Sequence, residues 1–254
     1  MKSPLKDIRF KNLSRGFLKT AISPATRVSS YGIFSGHTEL SLARQGTDID
    51  CYTDKPVIYQ FWECICESPY RLHSILTDKS FKFTDEREFA VLQETLPGYS
   101  DSYIRSSLFF LLNRYSKNGQ VSCGEFCKDN FNPAALNQLK IFRKPKNFNV
   151  HRYDADLCEH VSGNTNADFV LFPNVSFKYN LFNIGKPVGY DTYQHNPAEL
   201  KKILGLSNRP VAIVFNKHPG VFNFFKDFNQ TLINSKGRLT EEKSNCEEII
   251  VTNF

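Results

Sequence analysis

The sequence predicts an α/β fold: a doubly wound, mostly parallel sheet with a helical insertion. Three observations support this prediction. A strand, a helix and a second strand follow one another between residues 27 and 54, a mostly helical stretch comes next, and strands and helices then alternate to a terminal strand. We therefore expect residues 1–56 and 146–254 to form the α/β domain and residues 57–145 to form a helical insertion subdomain.

The first elements make a β-α-β unit whose length suits a nucleotide-binding half-sheet. They are a strand over residues 27–34, a helix over residues 38–44 and a short strand over residues 48–52. Asp54 follows the second strand directly. Residues 1–26 are basic and polar, and Lys11, Arg15 and Lys19, spaced four apart on one possible helix face, are interpreted as a solvated face.

Four helices are expected in the insertion, because each begins at a start signal. Proline suits the first helical position, and Asp-x-x-Glu is the pattern of an N-terminal cap. The expected helices start near Pro56, Asp85, Ser100 and Pro133, and the first is expected to run to about Leu76.

Beyond the insertion, a buried apolar strand over residues 167–171 is expected to end in an abrupt turn at Pro173. In open α/β sheets, ligands gather just beyond the carboxyl ends of such strands. The remaining predicted elements are strands over residues 148–153, 209–215 and 247–253 and helices over residues 197–204 and 220–227.

The composition restricts the functional classes. A net charge of +6 permits binding to polyanions. No run of about 18 apolar residues occurs, and residues 1–7 lack the apolar core of a secretory signal. We therefore expect an intracellular, cytoplasmic protein without a membrane partner. The many Phe, Tyr, Asn and Lys residues suggest an AT-rich coding genome and are compatible with a viral or phage origin.

The seven cysteines include two close pairs, Cys64 with Cys66 and Cys123 with Cys127. These spacings fit the common zinc sites poorly, so reduced and partly buried thiols are expected. The six histidines follow no metal-binding pattern, and no metal is expected.

Short motifs occur in a defined order along the chain. They are Gly32-Ile33-Phe34-Ser35-Gly36 after the first strand, Asp54 after the second, Leu112-Asn113-Arg114 and Asn118-Gly119 in the insertion, Phe172-Pro173-Asn174-Val175 after the buried strand, and Thr252-Asn253 near the end. In this order they resemble the motifs of the Dam-like DNA adenine methyltransferases, which have the class I S-adenosylmethionine-dependent methyltransferase fold. The resemblance covers the chain from about residue 27.

The resemblance implies a role for each motif. It assigns cofactor binding to Phe34, Gly36, Asp54 and Asp156, DNA binding to Asn113, Arg114 and Asn118, and the catalytic position to Phe172, Pro173, Asn174 and Val175. The implied cofactor is S-adenosylmethionine, and the implied partner is double-stranded DNA. Three of these assignments have alternatives. Asp154 could take the cofactor-binding role instead of Asp156, and Asp54 could cap the following helix. Asn113 and Arg114 could form a helix end with a surface salt bridge.

The catalytic tetrapeptide departs from the family pattern at both ends. The family has an acid or amide first, which accepts a hydrogen bond from the adenine amine, and an aromatic last, which stacks on the flipped base. Phe172 has no acceptor and Val175 has no ring, while Asn174 stands two positions late, so its side chain is expected to point elsewhere. Losing one oriented electrostatic contact typically costs about a hundredfold to a thousandfold in rate.

Three functional hypotheses follow. The first is a catalytically inactive methyltransferase-fold protein that serves as a nucleic-acid-binding or protein-binding module. The second is an active S-adenosylmethionine-dependent DNA adenine methyltransferase with an unusual catalytic motif. The third is a viral structural or assembly protein that reuses the fold to contact other proteins, and the basic charge favours the first hypothesis over the third.

Overall fold

The computed structural model describes residues 2–78, 85–177 and 189–254. Eight strands form one sheet in this part of the chain. The strands are Arg27–Tyr31 (β1), Asp48–Thr53 (β2), Phe148–Arg152 (β3), Phe169–Val175 (β4), Val211–Asn216 (β5), Asn229–Asn234 (β6), Leu239–Thr240 (β7) and Cys246–Thr252 (β8).

Ten α-helices accompany the sheet within the described ranges. The helices are Arg15–Ala21 (α1), His37–Ala43 (α2), Pro56–Glu67 (α3), Pro69–Thr77 (α4), Glu86–Thr95 (α5), Ser102–Tyr115 (α6), Pro133–Lys140 (α7), Leu157–Gly163 (α8), Pro197–Leu206 (α9) and Pro219–Phe224 (α10). Helices α3 to α7 lie between β2 and β3 in the chain, where the helical insertion is expected.

The strand order is β3-β2-β1-β4-β5-β8-β6-β7. The five strands from β3 to β5 pair in parallel, and β8 is antiparallel to both of its neighbours, β5 and β6. The order reverses between β1 and β4, which is the topological switch point where doubly wound sheets bind ligands. The predicted doubly wound, mostly parallel α/β fold is confirmed.

Each face of the sheet has its own hydrophobic cluster. On one face, Val28 of β1 and Phe148 of β3 belong to the same cluster as Trp62 and Phe109 of the insertion. On the other face, Phe172 of β4 packs with residues of α8, α9 and α10. The insertion therefore shares a continuous core with one face of the sheet instead of enclosing a core of its own.

Two predicted element boundaries are wrong. The long helix expected from Pro56 divides at Ser68, because Pro69 begins a new helix and the backbone of Ser68 is not helical. Strand β4 does not turn at Pro173 but continues to Val175. Its pairing with β5 shifts register between Phe172 and Val175, which is how a strand accommodates a proline that cannot donate a hydrogen bond.

In the described ranges, every helix is too short or too polar to cross a lipid bilayer.

Candidate functional site

The candidate site lies at the carboxyl ends of β1, β2 and β4, beside the switch point. Residues 190–195, here called the crossing segment, run over this edge and separate two cavities. The β2-side cavity, of about 260 Å³, is lined by Asp54, Lys55, Tyr153 and Glu199 among others. The β4-side cavity, of about 80 Å³, is lined by Arg9, Gly32, Phe34 and Asn174 among others. Three residues of the crossing segment line both cavities: Thr192, Tyr193 and His195.

One end of the crossing segment lies directly against the turn after β1. The Tyr193 hydroxyl donates to the carbonyl oxygen of Ile33 at 2.7 Å and lies 2.5 Å from the Thr53 hydroxyl at the end of β2. The rings of Tyr193 and His195 are stacked, with centroids 5.8 Å apart. A Cβ atom at Gly32 would lie only 2.9 Å from Nε2 of His195. The space above the glycine turn is therefore filled by side chains of the same chain.

The other end of the crossing segment is attached to the insertion. Asp191 is fully buried, and its carboxylate accepts hydrogen bonds from the backbone amides of Val121 at 2.7 Å and Ser122 at 3.1 Å, and from the Ser122 hydroxyl. The Tyr190 hydroxyl donates to the carbonyl oxygen of Gln93 at 2.9 Å. A buried carboxylate with three donors is well compensated for its lost hydration. The crossing segment is thus fixed at both ends.

The predicted cofactor-turn residues, Phe34 and Gly36, lie together at the start of α2. Gly36 has a φ of +66°, which favours glycine, and a Cβ atom there would lie 2.7 Å from the Trp62 ring. The Trp62 indole also donates to the carbonyl oxygen of Phe34 at 3.0 Å. Phe34 is buried beneath the Arg9 guanidinium, 4.7 Å from its ring centroid. The glycine at position 36 thus makes room for Trp62.

Asp54 follows β2, lies on the wall of the β2-side cavity and forms an ion pair with Lys55 at 2.9 Å, while its contact with a cofactor stays a prediction. Its Oδ1 is buried and has no hydrogen-bond partner among the described residues, and the same holds for Oγ1 of Thr192 and Nε2 of His195. Three orphaned polar atoms therefore come from residues that line this one cavity.

Asp156 is not among the residues that line the two cavities, although its carboxylate lies close to Glu199, which lines the β2-side cavity. It caps α8 by accepting a hydrogen bond from the Glu159 amide at 3.2 Å, although its neighbours Ala155 and Leu157 do line the β2-side cavity. Its carboxylate lies near the Cys158 thiol and the Glu199 carboxylate, with ligand atoms within 4.8 Å of one another. Its competitor, Asp154, forms an exposed ion pair with Arg152 at 2.6 Å.

The catalytic tetrapeptide is split between the core and a cavity. Phe172 and Val175 are buried, and the Phe172 ring stacks on Tyr31 with a centroid distance of 5.3 Å. Asn174 lines the β4-side cavity opposite Gly32. Strand β4 is irregular between Phe172 and Val175, next to this residue, and the direction of the Asn174 side chain stays a prediction.

The three predicted DNA-binding residues form hydrogen bonds with backbone groups of nearby segments. Asn113 is fully buried, where its Oδ1 accepts from the Lys6 amide at 2.8 Å and its Nδ2 donates to the Lys6 carbonyl oxygen at 2.8 Å. The Arg114 guanidinium donates to the carbonyl oxygen of Pro4, and burial lowers the pKa of Arg114 to about 10. Asn118 accepts from the Gln120 amide at 3.0 Å within its own turn. Their contact with DNA stays a prediction.

Two buried groups near the site have strongly shifted pKa values. Burial lowers the pKa of His195 to about 4, so the ring is neutral at pH 7. Burial raises the pKa of Glu39, on the sheet-facing side of α2, to about 7. The Ser30 hydroxyl donates to this carboxyl group at 3.4 Å.

The sequence analysis identifies neither the crossing segment nor Glu39 as part of the site. The stretch before Asn196 predicts only turns, since its contacts with Gln93, Val121 and Ile33 are distant along the chain. The available signal is the aromatic density of Tyr190, Tyr193 and His195, immediately before a helix start and shortly after the catalytic motif.

No model of a protein family matches this sequence, and no curated protein matches it. Among solved structures, the chain is similar to a predicted O-methyltransferase from Agrobacterium tumefaciens, with a TM-score of 0.40 and 12% sequence identity, over 96% of this chain and 79% of that chain. The fold assignment comes from the order and direction of the strands, which form a doubly wound, mostly parallel α/β sheet.

Proposed function

We propose that this chain is a Dam-like, methyltransferase-fold protein that transfers no methyl group and acts as a nucleic-acid-binding or protein-binding module. The observation that supports this most is the position of Tyr193 and His195 above the Gly32 turn. The resemblance assigns that space to the methionine part of S-adenosylmethionine. The residues present do not fit the cofactor there while the crossing segment keeps its contacts.

The volumes of the β2-side and β4-side cavities support the same proposal. Sites for drug-sized ligands typically measure about 300–1,000 Å³. The β4-side cavity, with about 80 Å³, is far below this range, and the β2-side cavity has about 260 Å³. Binding of the whole cofactor would require Tyr193 to give up its hydrogen bonds to Ile33 and Thr53.

The catalytic position supports the proposal independently. An adenine amine needs a hydrogen-bond acceptor to localise its lone pair, and Phe172 contributes a ring that is packed in the core. The absence of that acceptor alone is expected to lower the rate by about a hundredfold to a thousandfold. A net charge of +6 favours double-stranded DNA over other proteins as the partner, and protein assembly, including a viral role, remains the further alternative.

One observation favours the second candidate, an active DNA adenine methyltransferase. Asn174 lines the β4-side cavity together with Gly32 and Phe34, and a carboxamide oxygen is a hydrogen-bond acceptor. In this alternative the crossing segment moves away when the cofactor enters, and Asn174 takes the place of the acid or amide at position 172.

The test combines calorimetry with S-adenosylmethionine and incorporation of labelled methyl groups into double-stranded DNA. We expect no saturable heat at micromolar cofactor and no label above the protein-free background. Micromolar binding together with labelled DNA would contradict the proposal. In that case Asn174→Ala should abolish transfer, whereas Asn245→Ala, at an exposed position far along the chain, should leave it unchanged.

DNA retention and protein capture separate the two binding roles. Retention of the chain on immobilised double-stranded DNA at moderate salt supports the nucleic-acid role. A stable complex with other proteins, without DNA retention, supports the assembly role.

A further inference from the structure

A third cavity, of about 210 Å³, lies between the N-terminal segment, α1 and α2. It shares no lining residue with the β2-side or β4-side cavity. Its wall includes three cationic side chains from three separate parts of the chain: Lys2 of the N-terminal segment, Arg15 at the start of α1 and Arg44 just after α2. We call this the basic cavity.

The charge of the basic cavity is not balanced by the protein. None of the residues that line it is acidic. Within the described residues, Lys2, Arg15 and Arg44 form no ion pair, although nine ion pairs are found elsewhere in that part of the chain. Cations that converge on one cavity repel one another unless an anion lies between them.

The nearest acid is already neutralised. Asp7 raises the pKa of His37, another residue of the wall, and so lies within its electrostatic reach. The Asp7 carboxylate is buried, however, and binds the Arg9 guanidinium at 2.9 Å. Burial, Arg15 and Arg114 together outweigh Asp7 and lower the pKa of His37. Burial is the largest of these causes, and Arg15 and Arg114 add positive charge near His37.

The polar groups on the wall suit an oxyanion. Nδ1 of His37 lies 2.8 Å from the Ser35 hydroxyl, which leaves the other ring nitrogen for a ligand. Ser41 adds a hydroxyl group to the wall. Arginine guanidinium groups present planar pairs of donors that match two oxygens of a phosphate group. A carboxylate carries one charge in one plane, whereas a phosphate carries about two charges on tetrahedral oxygens that can meet cations from several sides.

We propose that the basic cavity binds a phosphate group, held by Lys2, Arg15 and Arg44. The cavity is concave and compact, which suits a pyrophosphate or a terminal phosphate better than an extended run of backbone phosphates. The site does not depend on whether the crossing segment closes the cofactor groove, because the two regions share no lining residue.

The test is calorimetric titration of the full chain with inorganic pyrophosphate, at constant ionic strength maintained with sodium chloride. We expect saturable binding in the micromolar range, and a higher melting temperature with the ligand present. Arg15→Gln and Arg44→Gln should each weaken binding by about tenfold, since each removes one charge-assisted contact. Arg87→Gln, at an exposed arginine of α5 that has no ion pair in the described residues, should leave the affinity unchanged.

A second probe identifies the source of the phosphate. A labelled 12-nucleotide single strand that binds, and is displaced by pyrophosphate, would assign the site to a nucleic-acid phosphate. Pyrophosphate binding without oligonucleotide binding would assign it to a small phosphorylated ligand. Absence of saturable pyrophosphate binding, or equal affinity in the wild type and the Arg15→Gln/Arg44→Gln double variant at unchanged melting temperature, would overturn the proposal.

Discussion

At the scale of residues, His195 fills the space above Gly32 and is buried there, which lowers the pKa of its ring. Its ring is stacked on Tyr193 and edge-on to Phe172, with a centroid distance of 5.6 Å to the latter. Burial keeps the ring neutral in the folded chain by lowering its pKa to about 4. Asp54 and Lys55 are the charged groups that face it, and their effects on the pKa oppose each other.

We predict that His195 makes the folded state less stable in acid. Its pKa is about 6.5 when unfolded and about 4 when folded, so its contribution to stability is complete above pH 6.5 and is lost as the pH falls toward 4. The measurement is the free energy of unfolding in urea between pH 4 and pH 7.5 for the wild type and His195→Gln. The wild type should lose stability relative to the variant as the pH falls, and parallel curves would contradict the prediction.

The test compares the difference in free energy of unfolding between the wild type and His195→Gln at each pH, because Glu39 changes the stability of both proteins in the opposite direction. Its pKa rises from 4.5 to about 7 on folding. The folded state therefore holds this proton more tightly, and the contribution of Glu39 to stability is lost as the pH rises from 4.5 to 7. Glu39 is present in both proteins, so its effect cancels in the difference.

At the scale of elements, Asp191 fixes the position of the crossing segment. This residue connects the segment to the insertion through Val121 and Ser122. Helix α6 and the N-terminal segment are connected in a similar way through Asn113. Both connections use a buried polar side chain to satisfy backbone groups that belong to no regular element, which is the requirement that any buried loop must meet.

We predict that Asp191→Ala releases the crossing segment and lowers the free energy of unfolding by roughly 2–4 kcal/mol, because two buried amides lose their acceptor. Hydrogen exchange of residues 189–195 should become faster in the variant. The control is Asp154→Ala, which removes an exposed ion pair and should cost at most about 1 kcal/mol. Similar costs for the two variants, with unchanged exchange of residues 189–195, would contradict the role assigned to Asp191.

Local signals predict the elements whose ends are determined by neighbouring residues. Asp85 caps α5 by accepting from the Glu88 amide, as the Asp-x-x-Glu pattern indicates, and Asn132 caps α7 before Pro133. The same reasoning fails at β4, because it treats Pro173 as the end of a strand. Pairing with β5 resumes at Val175, and that compensation comes from a strand distant in the sequence.

The site is less predictable than the fold for the same reason. Motif order places Phe34, Gly36 and Asp54 at the correct edge of the sheet, since the carboxyl ends of parallel strands meet there. What fills the space beside them depends on Trp62 of α3 and on Tyr193 and His195 of the crossing segment, two distant parts of the chain. No local pattern encodes such a contact, and the irregularity of β4 beside Asn174 likewise lies in its pairing with a distant strand.

At the scale of the whole molecule, two regions of different character lie on one scaffold. The space above the Gly32 turn is filled by residues of the chain itself, whereas the basic cavity is lined by three cations that form no ion pair in the described residues. If the chain transfers no methyl group, as we propose, the sheet and its two hydrophobic clusters still provide a scaffold for binding. We expect the phosphate site to persist in variants that open the groove.

The most direct test of the account is a crystal structure of the chain grown with millimolar S-adenosylmethionine. We expect the Tyr193 hydroxyl to remain hydrogen-bonded to the carbonyl oxygen of Ile33, with His195 above Gly32 and no cofactor density between them. Cofactor density along Phe34 and Asp54, with Tyr193 and His195 displaced from the glycine turn, would contradict the central claim that the chain occupies its own cofactor groove.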